Sequence, residues 1–136
     1  MNLHEYQGKQ LLEKFNVCIQ KGYVANTPEE AVECAKNLSN ETGTKIFVIK
    51  AQIHAGGRGK GGGVKIAKSL EDVKRISSEI IGMNLITPQT SAEGKLVRKV
   101  LVAEDVYYDG DSDRKEFYIS VLLNRSSSKN MIVYST

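Results

Sequence analysis

At 136 residues, 40% hydrophobic and 26% charged, the chain is long enough to bury one domain core and is neither disordered nor fibrous in composition. No apolar run approaches the roughly 20 residues that cross a bilayer. MNLHEYQGKQ also lacks the basic-then-apolar order of a secretory signal, so a cytoplasmic location without membrane contact is expected. The net charge of +3 is uneven: Lys45 to Arg75 carries eight Lys/Arg against two acids with Phe47 its one Phe, Tyr or Trp, which suits a compact anion and argues against nucleic acid.

Taken in chain order, three helix starts are legible. Asn2 followed by Glu5 opens a first helix carrying Leu3, Tyr6, Leu11, Leu12 and Phe15. Thr27, Pro28 and Glu30 supply an N-cap, a first-turn proline and a capping-box acid for a helix that buries Ala31, Val32, Ala35 and Leu38. Ser69 and Asp72 do the same for Leu70 to Ile81, with Leu70, Val73, Ile76 and Ile80 on one face and Gly82 as its stop. Between them, Gly22 to Ala25, Ile46 to Lys50, Val64 to Ala67, Val97 to Ala103, Phe117 to Leu123 and Met131 to Ser135 have strand composition and length. The last two flank a polar turn and suggest a hairpin. The pattern is α/β or α+β, with mixed or antiparallel pairing in the second half. Cys18 and Cys34 have no CxxC spacing and read as small buried residues in a reducing compartment. The sequence stops directly after a strand, as the front part of a longer chain would.

KAQIHAGGRGKGGGVK packs six of the twelve glycines between Gly56 and Gly63. Glycine costs the folded backbone entropy, so a dense run needs a reason. A mobile hairpin tip is one reason; a backbone wrapped around phosphates is the other. Gly57, Gly59 and Gly62 spell G-x-G-x-x-G, but an extended segment follows rather than the helix a dinucleotide fold requires. Strand, glycine loop, strand resembles the phosphate flap of kinases, yet no HRD or DFG follows, and no Walker A lysine is present. Lys50 ends IFVIK just before the loop, where alternation can turn an ammonium into a cleft. Arg58 offers a planar fork to phosphate oxygens. Glu104 at the end of LVAED and Glu116 at the start of the next strand can accept from a base or a ribose, or stay solvated. Asp109, Asp111 and Asp113 fail as a calcium loop because Arg114 and Ser120 hold the glycine and glutamate positions. His4 and His54 have no partner at metal or triad spacing.

MNLHEYQGKQLL and VIKAQIHAGGRGKGGGVKIAKS, with VLVAED, KEFYISVLLNRSS and YST further on, resemble the β subunit of succinyl-CoA synthetase (succinate–CoA ligase). The resemblance implies the front portion of an ATP-grasp fold across 1–136, binding ATP or GTP, with Mg²⁺ ligands beyond Thr136. By its motif positions Lys50 meets the nucleotide phosphates, and Gly57, Arg58 and Gly59 close over them. Glu104 lies near the adenine with Tyr107 just beyond, and Glu116 binds the ribose. It further implies a partner α subunit carrying a phosphohistidine, succinate and coenzyme A as substrates, and an inactive fragment when the chain stands alone. Malate–CoA ligase β subunit and a stand-alone nucleotide-binding module remain alternatives. Asp109 to Asp113 looks like an insertion in that family's pattern, so the register of Glu104 and Tyr107 can shift by one. Gly8 replaces a usual alanine, which weakens the first helix by roughly 0.5–1 kcal/mol.

Overall fold

The computed structural model describes residues 3–107 and 115–136, so Asn2 and the Asp109, Asp111 and Asp113 carboxylates lie outside the described residues. The chain divides into two units, Met1–Val106 and Tyr107–Thr136.

The first unit is built on a four-stranded sheet in the order β1-β6-β2-β3, with β1 Gly22–Ala25, β2 Phe47–Ala51, β3 Val64–Ala67 and β6 Val100–Glu104. Every pair in it is antiparallel, where composition had left mixed pairing open. Strand alternation puts Phe47, Ile49 and Ala51 on one face, with Ala67 on β3, Val100 and Val102 on β6 and Ala25 on β1. Helices α2 (Pro28–Thr42) and α3 (Leu70–Ile80) cover that face through Ala31, Ala35, Leu38, Val73, Ile76 and Ile80, all buried. Central β6 is buried on both faces, Leu101 and Ala103 included, which explains its unbroken apolar run. A small hairpin of β4 (Asn84–Leu85) and β5 (Lys95–Leu96) was not foreseen, because two-residue strands carry no period.

The two clear caps behave as their chemistry requires. Glu30 N–H donates to Thr27 Oγ1 at 3.1 Å, and the Glu30 carboxylate accepts from the Asn26 N–H at 2.8 Å. Asp72 N–H donates to Ser69 Oγ at 3.1 Å. Helix α2 ends at Gly43, in the left-handed region at φ 76°. Since the helices among the described residues all belong to the first unit, their circular dichroism reports that unit. Thr27→Ala is expected to lower its stability by about 1 kcal/mol in urea unfolding followed by the helix signal; an unchanged midpoint would remove the cap from the account.

Helix α1 (Glu5–Lys14) departs from the sequence reading. His4 is its N-cap, with Gln7 Oε1 accepting the His4 N–H at 2.9 Å, and Glu5 falls in the first helical turn. Its apolar residues are not its buried face: Leu3, Leu11, Leu12 and Phe15 are all exposed, and no α1 residue is fully buried. Glu5, Tyr6, Gln7, Gly8 and Lys9 are the partly covered ones. The cysteines also divide, Cys34 being half-buried against the Val24 carbonyl and Cys18 exposed.

The second unit is a hairpin of β7 (Tyr118–Asn124) and β8 (Lys129–Ser135), paired in seven registers. Asn124 Oδ1 closes its turn by accepting from the Ser126 N–H at 3.1 Å. Neighbouring residues Tyr118 and Ile119, and Val121 and Leu122, are all exposed, so apolar side chains stand on both faces. A two-stranded hairpin of this kind is marginal in water by itself.

Candidate functional site: a cation cluster beneath the glycine loop

Lys50 pairs across β2 with Leu101 and Val64, so its side chain leaves the sheet on the face away from α2 and α3. Its Nζ donates to Gln20 Oε1 at 2.7 Å and to Glu5 Oε1 at 3.2 Å. Arg58 folds back from the glycine loop to the same place. Its Nη1 donates to the Ala51 carbonyl at 2.6 Å and its Nη2 to Glu5 Oε2 at 2.7 Å. Lys9 completes the group, one turn along α1, at 3.6 Å from Glu5 Oε1 and 2.9 Å from Gln20 Oε1. Thus Lys50 and Arg58 come together as the motif suggested, and the anion between them is a carboxylate of this chain. Each of the four charged side chains is about one-fifth exposed.

Burial alone would raise the Glu5 carboxyl. Lys50, then Arg58 through its hydrogen bond and charge, and then Lys9 hold it down at about 2. Burial and the neighbouring Lys50 lower Lys9, against the opposing pull of Glu5. Buried Gln52 ties this turn of α1 to the end of β2. It accepts from the Tyr6 N–H at 3.4 Å and donates to Glu5 Oε2 at 3.4 Å and to the Lys50 carbonyl at 3.1 Å. A cleft of about 280 Å³ between α1 and β1, lined by Tyr6, Lys9, Gln20, Tyr23, Glu41 and Leu101, adjoins the cluster through Lys9 and Gln20.

The glycines have two different reasons to be glycine. A Cβ on Gly61 would meet the Ile86 carbonyl at 2.2 Å, on Gly63 the Leu85 side chain at 2.4 Å, and on Gly56 the Gln89 side chain at 2.7 Å. Gly57, at φ 74°, lies against Pro88. The 85–89 segment therefore braces the loop, helped by Gly56 N–H to Gln89 Oε1 at 2.6 Å and Lys95 Nζ to the His54 carbonyl at 2.8 Å. At these positions the close approach is made by the protein's own chain, which corrects the reading that the whole run clears room for phosphates. Gly59 differs: nothing lies within 4 Å of its Cβ position and its φ is ordinary. No feature of the fold requires glycine there.

Glu104 pairs with Phe47, which puts it on the helix-covered face, opposite Lys50. Its carboxylate accepts the Lys21 N–H at 2.8 Å, and its carbonyl accepts from the Gln20 amide, closing the β1–β6 end. Tyr107 and Glu116 belong to the second unit, where the tyrosine hydroxyl donates to the Glu116 carboxylate. His4 and His54 stack on each other with centroids 3.9 Å apart, and burial followed by the charge of His54 lowers His4. Sequence reasoning missed Glu5, Lys9, Gln20 and Gln52. The Glu5–Lys9 spacing of four was a legible pair signal; the two glutamines carried none.

The first unit is a helix-backed antiparallel sheet that presents a braced glycine loop and a convergent cation cluster. The profile of the ATP-grasp domain matches residues 2–136, and the chain belongs to the ATP-grasp family. It is similar to the ADP-forming succinate–CoA ligase subunit beta of Flavobacterium psychrophilum, at 69% identity, and to that of Christiangramia forsetii, at 65%. Each match covers 100% of this chain and 34% of the relative, so the chain spans about a third of the length of these curated relatives. Among solved structures it is similar in fold to a dinucleotide-forming acetyl-coenzyme A synthetase 1 of Ca. Korarchaeum cryptofilum, with coenzyme A, acetyl-coenzyme A and a phosphorylated phosphohistidine segment. That likeness has a TM-score of 0.64 at 21% identity and covers 97% of this chain and 51% of that one.

Proposed function

We propose that the chain is the nucleotide-binding front portion of the β subunit of an ADP-forming succinate–CoA ligase. In that reading the whole enzyme, acting in the cytoplasm, couples ATP to succinyl-CoA interconversion in the tricarboxylic acid cycle through a phosphohistidine on a partner α subunit. GTP is the alternative nucleotide and malate the alternative acid. The observation that carries the reading is the convergence of Lys50 and Arg58 on one anionic group, with Gly59, next to Arg58 in the chain, open within 4 Å at an ordinary φ. A triphosphate offers the same cations more negative charge than one carboxylate does. The high identity to named β subunits supports the rest.

The residue roles are those the family resemblance implies. Lys50 and Arg58 bind phosphate oxygens, Gly59 lets the backbone near them, and Gly57 turns the loop at its positive φ. Glu104 lies near the adenine with Tyr107 just beyond, and Glu116 binds the ribose. His4 and His54 receive no phosphoryl role. Among the described residues no three His, Cys, Asp or Glu side chains group as a metal site; in this reading Mg²⁺ is held by ligands from the part of the relatives beyond this match. The apolar faces of the β7–β8 hairpin fit cover supplied by the part of the relatives beyond this match.

Titration calorimetry of the full-length polypeptide with ATP and with adenosine tests the reading. Charge-assisted bonds contribute on the order of 1.5–3 kcal/mol, so Arg58→Ala is expected to weaken ATP about tenfold or more and leave adenosine unchanged. Equal weakening of both ligands would make Arg58 a pin of the loop and nothing more.

A further inference from the structure

We propose that Glu5 is a positioning residue for the nucleotide's phosphates, setting Lys9, Lys50 and Arg58 around one point before the ligand arrives. This rests on the nucleotide reading above and names a residue that reading does not use. The three cations come from three separate elements, α1, the end of β2 and the glycine loop, and each forms an ion pair with the one carboxylate. The carboxylate is itself fixed, since Gln52 joins the Glu5 turn to the end of β2 at both Glu5 Oε2 and the Tyr6 N–H.

Counting charge, four groups leave a surplus of two positive charges around Glu5. Counting donors, Lys50 has directed two of three N–H groups, to Glu5 and Gln20, and Arg58 two of five, to Ala51 and Glu5. The cluster is thus held by one anion without being neutralised or saturated by it, and it retains donors for another. Without Glu5, three like charges a few ångströms apart would repel, and their long stems would turn towards solvent. A phosphate chain would then have to gather them, at the expense of side-chain freedom.

Two effects oppose each other when Glu5 loses its charge, and they have opposite signs. A more positive site attracts ATP more strongly; a scattered site attracts it less. Positioning predicts the second outcome. The experiment is calorimetric titration of ATP and adenosine into the full-length polypeptide carrying Glu5→Gln, with Glu5→Asp alongside. Ordering the released side chains again corresponds to about tenfold in affinity, so Glu5→Gln is expected to bind ATP about tenfold more weakly with adenosine unchanged. Glu5→Asp keeps the charge and loses one methylene of reach, and is expected to fall between parent and Glu5→Gln. ATP affinity at or above the parent's in the variants overturns the proposal, as does equal weakening of both ligands, which marks a purely structural role. Should Glu5→Gln fail to fold, Glu5→Asp decides by the same criteria. A parent that takes up neither ATP nor adenosine instead overturns the nucleotide reading on which the proposal rests.

Discussion

Gly61→Ala is expected to destabilise the first unit by about 3 kcal/mol, the upper end for an overpacked site, while Gly59→Ala leaves stability unchanged or raises it by about 0.4–1 kcal/mol. The two positions lie two residues apart in one loop, and their difference is wholly tertiary. A methyl on Gly61 meets the backbone carbonyl of Ile86 at 2.2 Å, and a backbone atom cannot yield as a side-chain end can. A methyl on Gly59 meets nothing within 4 Å at an ordinary φ, and it removes conformations from the unfolded chain. Urea unfolding followed by the helix signal measures both. Equal midpoints for the two variants would show that the 85–89 segment does not brace the loop. The same Gly59→Ala protein then becomes a clean reagent: any weakening of ATP in it comes from the ligand's approach, because the fold does not need that glycine.

A second large effect belongs to acid. The Glu5 carboxyl falls from its ordinary 4.5 to about 2 in the folded protein, so the folded state binds fewer protons than the unfolded one over that interval. Its contribution is therefore fully present above about pH 4.5 and is lost as pH falls towards 2. The depression corresponds to stability on the order of 3 kcal/mol, and Glu5 is shielded enough, about one-fifth exposed, for most of that to be felt. Exposed carboxylates such as Glu41, Asp72 and Glu79 are lowered too, through hydrogen bonds with Lys21, Arg75 and Lys65 first among their causes. The informative quantity is accordingly the difference between parent and Glu5→Gln. That difference is expected to be largest at pH 6 and to shrink steadily below pH 4.5. A gap that stayed constant from pH 6 to pH 2.5 would mean the Glu5 charge carries none of it.

Much of the architecture was readable residue by residue. Thr27 and Ser69 cap their helices because a short hydroxyl side chain reaches an unpaired N–H three residues on, a local fact independent of the fold. Composition marked both Phe47–Ala51 and Val100–Ala103 as strands; that the first alternates in burial and the second is buried throughout its apolar run was decided by their places in the sheet. Lys50 and Arg58 were legible as cations flanking and within the glycine run, and the structure brings both to one carboxylate. The tertiary structure alone decided the rest. The stripe that makes α1 look amphipathic is left exposed, and its polar side meets the sheet, since an ion pair to Lys50 and Arg58 needs a partner 45 or 53 residues away in sequence. Periodicity cannot report such a partner. In the same way, six glycines in eight residues signal that a backbone is approached closely, but only packing tells by what. At Gly61 and Gly63 the neighbour is the chain itself, and at Gly59 the space is open, because sequence specifies which residues lack a side chain while the three-dimensional path specifies what fills the room.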